Sequence, residues 1–404
     1  MYYILCNIHR YILYYARVCI NIRGVTLNMP AVKSDTAHFD DILSCKNLNK
    51  FADSIHEVLM FGGYSESKFF ICKIGKEKTK YLVKMAFYKK TNPELYTTAA
   101  ESNQNATKPP HDVELAVLEL LKQEITIANI SPCIIDLIHY VKCNSASIVT
   151  PKVSTCHQYI TESKSSEGVI DSLNMIFCNY AELVRNDLAF DKFNYLVLEN
   201  CDVTFHEYLT HLRSKSSISF EQFRSFMFQI IYTVYRIKRI YPSFRHGDLH
   251  SENIMIKYDK NFKYDPAKPK FYKFHAAGKV YYVPYFGIIC KLIDFGFTII
   301  EEKNIKSSIL GDKFITFMKT KNDLLFLLFD IWNTQGENKM VGDFLEKLEP
   351  NKTYLHYNTD YITHIDKRIP TVSDMIDNEV FGMYRRYSPT EEQIVHEFAL
   401  DNAA

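Results

Sequence analysis

Apolar residues recur at helical spacing from 219 to 240, with Phe220, Phe223, Met227, Ile230, Ile231 and Val234 on one face, which predicts a long core helix. A second helix is expected from Asp112, a residue suited to capping, with Val113, Val117, Leu120 and Leu121 on one face. From Phe51 to Tyr88 the pattern is that of strands, broken by turns at Gly62-Gly63 and at Gly75-Lys76-Glu77-Lys78. Short runs at Tyr81-Leu82-Val83, Tyr195-Leu196-Val197-Leu198 and Ile254-Met255-Ile256 read as strands as well. Residues 91–111 are rich in Asn, Thr and Pro and read as a loop, and the polar stretch 144–192 reads as an insertion. Residues 257–290 alternate Tyr, Val and Phe around Gly278, which suits a hairpin. No internal repeat is visible.

Residues 1–24 are apolar and aromatic, but Arg10, Arg17 and Arg23 interrupt them. Neither a secretory signal nor a spanning helix of about 20 apolar residues fits there. Two readings stay open, an amphipathic or poorly ordered extension and a translation start at Met29. The apolar stretch from Leu324 to Trp332 is too short to span a bilayer and contains Asp330.

Composition narrows the class. A chain of 404 residues, 47% hydrophobic and 24% charged, has the make-up of a soluble globular protein and suits a two-part catalytic unit. The net charge of +1 gives no overall field to attract nucleic acid or an acidic membrane. The ten cysteines stand singly, without a CxxC pair or metal-ligand spacing, and are expected to be reduced thiols rather than a disulfide framework.

The chemistry concentrates in His246-Gly247-Asp248-Leu249-His250-Ser251-Glu252-Asn253 and Ile293-Asp294-Phe295-Gly296. Asp248 offers a carboxylate that can orient a hydroxyl or accept its proton. Asn253 and Asp294 offer hard oxygen donors of the kind Mg2+ takes. Together they suit phosphoryl transfer. Taken singly, Asp248 or Asn253 could merely close a turn, and Asp294-Phe295-Gly296 could arise by chance. Upstream, Lys84 ends a strand, Glu114 lies on a helix with Glu119 and Glu124 as rival acids, and Glu199-Asn200-Cys201 follows a hydrophobic strand.

In this order the motifs resemble the protein kinase superfamily, from about residue 55 to the segment near Asp323. The resemblance implies an α+β, two-lobed protein-kinase-like fold: a small β-rich N-lobe with a five-stranded sheet and one main helix, and a larger, mostly helical C-lobe with a β-rich insertion. The expected division is 1–50 as an extension, 51–201 as N-lobe and hinge, and 202–404 as C-lobe. It further implies ATP with Mg2+ or Mn2+ as cofactors. Gly62, Gly63 and Ser67 would cradle phosphates, Lys84 would reach the α- and β-phosphates while held by Glu114, and Glu199 and Cys201 would line the adenine pocket. Asp248, Lys84 and Asn253 would be catalytic, with Asn253 and Asp294 holding the metal.

Three departures refine the resemblance. Gly247 replaces the Arg of the usual His-Arg-Asp, His250 replaces the Lys two residues after the catalytic Asp, and no Ala-Pro-Glu follows Asp294. The glycine loop also departs, with two adjacent glycines and Ser67 at the third position. The insertion before Lys291-Leu292-Ile293-Asp294 looks like that of the serine/threonine-protein kinases of large cytoplasmic DNA viruses such as iridoviruses. That implies a viral or host protein as substrate and the host cytoplasm or virion as location. The loop also resembles that of aminoglycoside and choline kinases, so a small-molecule acceptor is the alternative. A pseudokinase scaffold would be expected to have lost Lys84, Asp248, Asn253 or Asp294, and all four stand.

Overall fold

The structure, a computed structural model, describes residues 36–43, 45–46, 48–61, 69–74, 80–89, 110–145, 169–215, 220–306, 322–335, 338–356 and 370–399. The remainder, including residues 1–35 and the turn Gly62–Ser67, lies outside the described residues.

Two short helices, α1 (Thr36–Ile42) and α2 (Leu48–Ser54), precede a five-stranded antiparallel sheet. Its strands are β1 (Ile55–Phe61), β2 (Phe69–Ile74), β3 (Tyr81–Lys89), β4 (Leu137–Cys143) and β5 (Ala189–Glu199), in the spatial order β1-β2-β3-β5-β4. Both faces of this sheet are covered, which explains the continuous apolar run at Tyr195–Leu198. Successive strand residues point to opposite faces. Phe193, Tyr195 and Val197 enter one core, which Val83, Met85 and Phe87 of β3 also enter. Leu196 and Leu198 enter another. The first core is closed by Phe39 and Leu43, by Leu48 and Phe51 of α2, and by Leu173, Phe177 and Tyr180 of α4 (Val169–Arg185). Residues 51–54 are therefore helical rather than part of a strand, and part of the expected insertion 144–192 is the helix α4. Its 17 residues, more than four turns, and an apolar face outweigh its polar flanks.

On the other side of the sheet lies α3 (Pro110–Leu121), which starts two residues before the expected cap. Asp112 sits in its first turn and accepts a hydrogen bond from the Tyr88 hydroxyl at 2.7 Å. The helix buries Val113, Val117, Leu118 and Leu121 in the second core.

That core is organised around α6 (Phe220–Ile240), buried on every side from Ser225 to Ile237, with α5 (Phe205–Lys215) beside it. Its interior polar residues lie one helical turn apart and are paired. Ser225 Oγ donates to Pro284 O at 3.1 Å, Gln229 Oε1 accepts from Cys290 N at 3.2 Å, and Thr233 meets Ser131 at 2.7 Å.

Around α6 lie two small sheets. One has the order β10-β7-β6, from Val203–Thr204 (β6), Ile254–Tyr258 (β7) and Ile288–Leu292 (β10). The other has the order β11-β8-β9, from Phe271–Ala276 (β8), Lys279–Pro284 (β9) and Ile394–Glu397 (β11). The aromatic stretch 257–290 thus folds as strands. Its hairpin turns at Ala277 and Gly278, both at positive φ (50° and 71°), as a two-residue turn of that twist requires. Helices α7 (Asp323–Gln335), α8 (Lys339–Leu348), α9 (Val372–Ile376) and α10 (Gly382–Arg386) complete this half. Among the described residues no helix is long and apolar enough to cross a membrane.

The cysteines depart from the expectation of reduced thiols throughout. Cys45 is disulfide-bonded to Cys143 at the end of β4, 98 residues away in sequence, and Cys178 is disulfide-bonded too. Pairing depends on proximity in the fold, which sequence spacing does not report. Cys72, Cys133, Cys201 and Cys290 are free and buried.

Candidate active site

Alternation along β3 sends Val83 and Met85 into the first core and leaves Lys84 on the opposite face, toward α3. There its ammonium lies 2.7 Å from Glu114 Oε2 and 3.3 Å from Asp294 Oδ1. Glu114 is buried in the first turns of α3 at 2% exposure, and Asp294 retains 45% of its side-chain surface. Burial works against the Lys84 charge, but Asp294 and Glu114 outweigh it, and its pKa lies above that of a lysine in water. Burial pushes the Glu114 carboxyl up against the pull of Lys84. We take the pair as ionised, since Lys84 holds its proton more tightly than it would in water. For Asp294 burial would raise the pKa, but the Lys84 ammonium, helped by His250, brings it below the usual range.

Asp294 has a left-handed backbone (φ 59°) and begins the turn Phe295–Phe297, against which α3 packs. The peptide before it is held by His246, whose Nε2 donates to Ile293 O at 2.9 Å and whose ring lies 4.9 Å from that of Phe295. Burial depresses the pKa of this fully buried imidazole, so it is neutral with its proton on Nε2.

Asp248 stands on the loop between α6 and β7. The Asn253 amide nitrogen donates to Asp248 O at 2.8 Å and to its Oδ2 at 3.2 Å, and His250 Nε2 lies 3.6 Å from the same Oδ2. The pairing of β7 with β10 brings this loop to Asp294, for Ile293 N donates to Asn253 O at 3.1 Å. Gly247 makes the close turn possible. At its φ of 85° a Cβ would stand 2.4 Å from Phe297 O, so neither an Arg nor any other side chain fits this backbone.

Sequence reasoning missed what lies beneath the loop. Asp323 accepts from His246 N at 2.8 Å and from Gly247 N at 3.0 Å, while Asp330 accepts from Ser251 N at 2.8 Å. The two acids are seven residues apart on one face of α7. Carboxylates at that spacing, one just before and one within the apolar run Leu324–Trp332, are the signal that could have found them.

Other expected site residues fall elsewhere. Gly62, Gly63 and Ser67 lie outside the described residues. The Glu199 carboxylate turns into the protein, to Lys257 at 2.5 Å, Lys291 at 2.8 Å and Asp136 N at 2.8 Å. The Cys201 side chain is buried in the second core, where burial pushes its thiol up to about 12. Among the described residues no cluster of three or more His, Cys, Asp or Glu could hold a metal unaided.

Known proteins share parts of this sequence. The chain is 29% identical over 259 residues to the protein named "Putative serine/threonine-protein kinase R301" of Acanthamoeba polyphaga mimivirus, covering 55% of this chain and 64% of that protein. It is 28% identical over 188 residues to "Putative serine/threonine-protein kinase R400" of the same virus, covering 45% of this chain and 39% of that protein. The chain resembles viral serine/threonine-protein kinases. The matches span less than two thirds of the length of either kinase relative. No protein-family model matches the chain. Among solved structures, that of WaaP in complex with acyl carrier protein aligns over 81% of this chain and 97% of that one, at 8% identity and a TM-score of 0.35.

Proposed function

We propose that the chain is a two-lobed, kinase-like phosphotransferase that moves the γ-phosphate of ATP to a serine or threonine hydroxyl of a protein. The observation that carries this reading is Lys84 held between Glu114 and Asp294, with the Asp248–Asn253 pair on the adjoining loop. In it, the five-stranded sheet and α3 form one lobe, the α6 core forms the other, and the chain passes between them at Glu199–Cys201.

Each residue then has a role its surroundings suit. Lys84 would bind the α- and β-phosphates, kept in place by Glu114. Asp248 would orient the acceptor hydroxyl and take its proton, and His250 beside it would place positive charge near the transferred group. Asn253 and Asp294 fit Mg2+. Both present oxygen donors, the Asn253 nitrogen is already bonded to Asp248, and so small a donor set suits an ion that shares its shell with phosphates and water. When bound, Mg2+ supplies charge neutralisation for the phosphate oxygens.

The test is incubation with radiolabelled ATP and Mg2+, offering either generic protein substrates or a panel of amino alcohols and aminoglycosides. Label is expected in protein Ser and Thr. In Asp248→Asn transfer should fall by roughly 10²-fold or more while ATP still binds, and Asp294→Asn should weaken Mg2+-dependent ATP binding. Transfer only to the small alcohols would favour the aminoglycoside-like reading. Turnover of Asp248→Asn within a few-fold of the parent would remove Asp248 from its role.

A further inference from the structure

The helix that carries Glu114 does not end at Leu121. It runs directly into a π turn, Lys122–Ile127, and the chain then leaves at Asn129. Asn129 has a left-handed backbone (φ 55°), which Asn tolerates better than most residues. Its N–H donates to Thr126 O at 3.0 Å and closes the turn. Its three remaining bonds go to the C-terminal strand β11 and the residues just after it. Ala399 N donates to Asn129 O at 2.8 Å, Asn129 Nδ2 donates to Glu397 O at 3.0 Å, and His396 Nε2 donates to Asn129 Oδ1 at 2.5 Å. The amide has one sensible orientation here, because only its nitrogen can serve the Glu397 carbonyl.

The strand that grips Asn129 is itself fixed to the second core. β11 pairs in parallel with β8, Phe398 is buried and stacks on Phe274 at 4.6 Å, and Arg236 of α6 donates to Ala399 O at 2.9 Å. One end of the α3 assembly is thus anchored to the body of the protein, while its first turns present Glu114 to Lys84. Asn129 lies fifteen residues beyond Glu114, about 22 Å along a helix. Such a rod is stiff, so a slide at Asn129 moves Glu114, and a shift of about 1 Å takes a catalytic group out of position.

We propose that Asn129 is a positioning residue, through which the C-terminal strand fixes the far end of α3 and holds Glu114 in its pairing with Lys84. The structural part stands without any assumption about activity, and the kinetic part rests on the phosphotransferase reading. Three variants of the full chain separate the possibilities. Asn129→Gly keeps the left-handed backbone and deletes both side-chain bonds. His396→Phe keeps a ring beside Phe398 (now 4.6 Å away) and deletes one bond. Val395→Thr, at an exposed position of the same strand, is the control.

Hydrogen exchange over residues 110–127, read without substrate, should speed up by roughly three- to tenfold in Asn129→Gly. His396→Phe should give a smaller increase and Val395→Thr none, with β3 and β5 unchanged throughout. kcat should fall over a similar range while the KM for a protein acceptor stays the same. Exchange unchanged in α3, or raised equally everywhere, in both Asn129→Gly and His396→Phe would overturn the proposal. So would a loosened α3 with undiminished kcat. If the parent transfers no phosphate at all, the kinase reading fails, and exchange in α3 alone decides the role of Asn129.

Discussion

His250 is the residue through which pH acts on this site. Burial favours its neutral form, but the adjacent Asp248 carboxylate, together with Asp330 and Glu252, outweighs that and pushes its pKa up to about 9. The folded value lies above the ordinary 6.5, so the stabilisation is complete below pH 6.5 and is lost as pH rises through about 9. At neutral pH an imidazolium therefore stands where the resemblance leads one to expect a lysine. On the proposed phosphotransferase reading, the alkaline limb of transfer should fall near pH 9 and move upward in His250→Lys. In His250→Gln the drop in urea midpoint between pH 6.5 and 9.5 should be shallower than in the parent. Superimposable parent and His250→Gln profiles, in activity and in stability, would leave His250 without this role. Gly247 belongs to the same scale. As a sequence departure it says only that an Arg is missing, whereas the backbone at φ 85° against Phe297 O states why one cannot be there.

Among the elements, the connection between sheet and second core turns on Glu199 at the end of β5. Its carboxylate meets Lys257 of β7 and Lys291 of β10, and Lys291 also donates to Ile134 O at 3.2 Å, so three strands and the segment leading into β4 are tied at one buried point. Burial would raise the Glu199 pKa, but Lys291 and Lys257 bring it down to about 2, so its contribution is present above the ordinary carboxylate range and lost only as pH falls toward 2. Breaking a buried pair from one side strands the partner charge, at a cost of about 3–5 kcal/mol, whereas replacing every member by apolar groups is often tolerated. Glu199→Gln should therefore lose about that much stability in urea unfolding, and the combination Glu199→Leu, Lys257→Met, Lys291→Met should regain most of it. A neutral Glu199→Gln would show that the cluster does not hold the connection. This cluster also marks where the sequence stops being legible. Helix α6, the strands around Leu82, Leu196 and Met255, and the hairpin at Gly278 follow from local periodicity and turn chemistry. The order of Lys84, Glu114, Asp248, Asn253 and Asp294 singles out residues that the fold gathers. The partners of Glu199, the two acids of α7 beneath the loop and the three bonds of Asn129 to residues 396–399 depend on segments far apart in the chain, and no local pattern encodes them.

For the whole molecule, the disulfide divides the cysteines by position. Cys72, Cys133, Cys201 and Cys290 lie inside the packed interior, where burial raises each thiol and makes it unreactive. Cys45 and Cys143, in contrast, join the connection between α1 and α2 to the outer strand of the sheet. The bond closes a loop spanning 98 residues, and Phe39 of α1, Leu48 and Phe51 of α2, and Leu43 between the two helices cover the sheet. Constraining so long a loop in the unfolded chain is worth about 2–4 kcal/mol. Losing it would free the two helices to leave the face formed by Tyr195, Val83 and Met85. The double variant Cys45→Ala, Cys143→Ala should therefore unfold at lower urea by an amount in that range, with hydrogen exchange rising first in α1, α2 and β1–β3 rather than in α6. Addition of a reductant should weaken the parent and leave the double variant unaffected at this bond. Peptide mapping without reductant checks the premise directly. A Cys45–Cys143 linked peptide is expected, and recovery of both residues as separate alkylated thiols would overturn the account, returning these cysteines to the reduced state that their isolated spacing in the sequence implies.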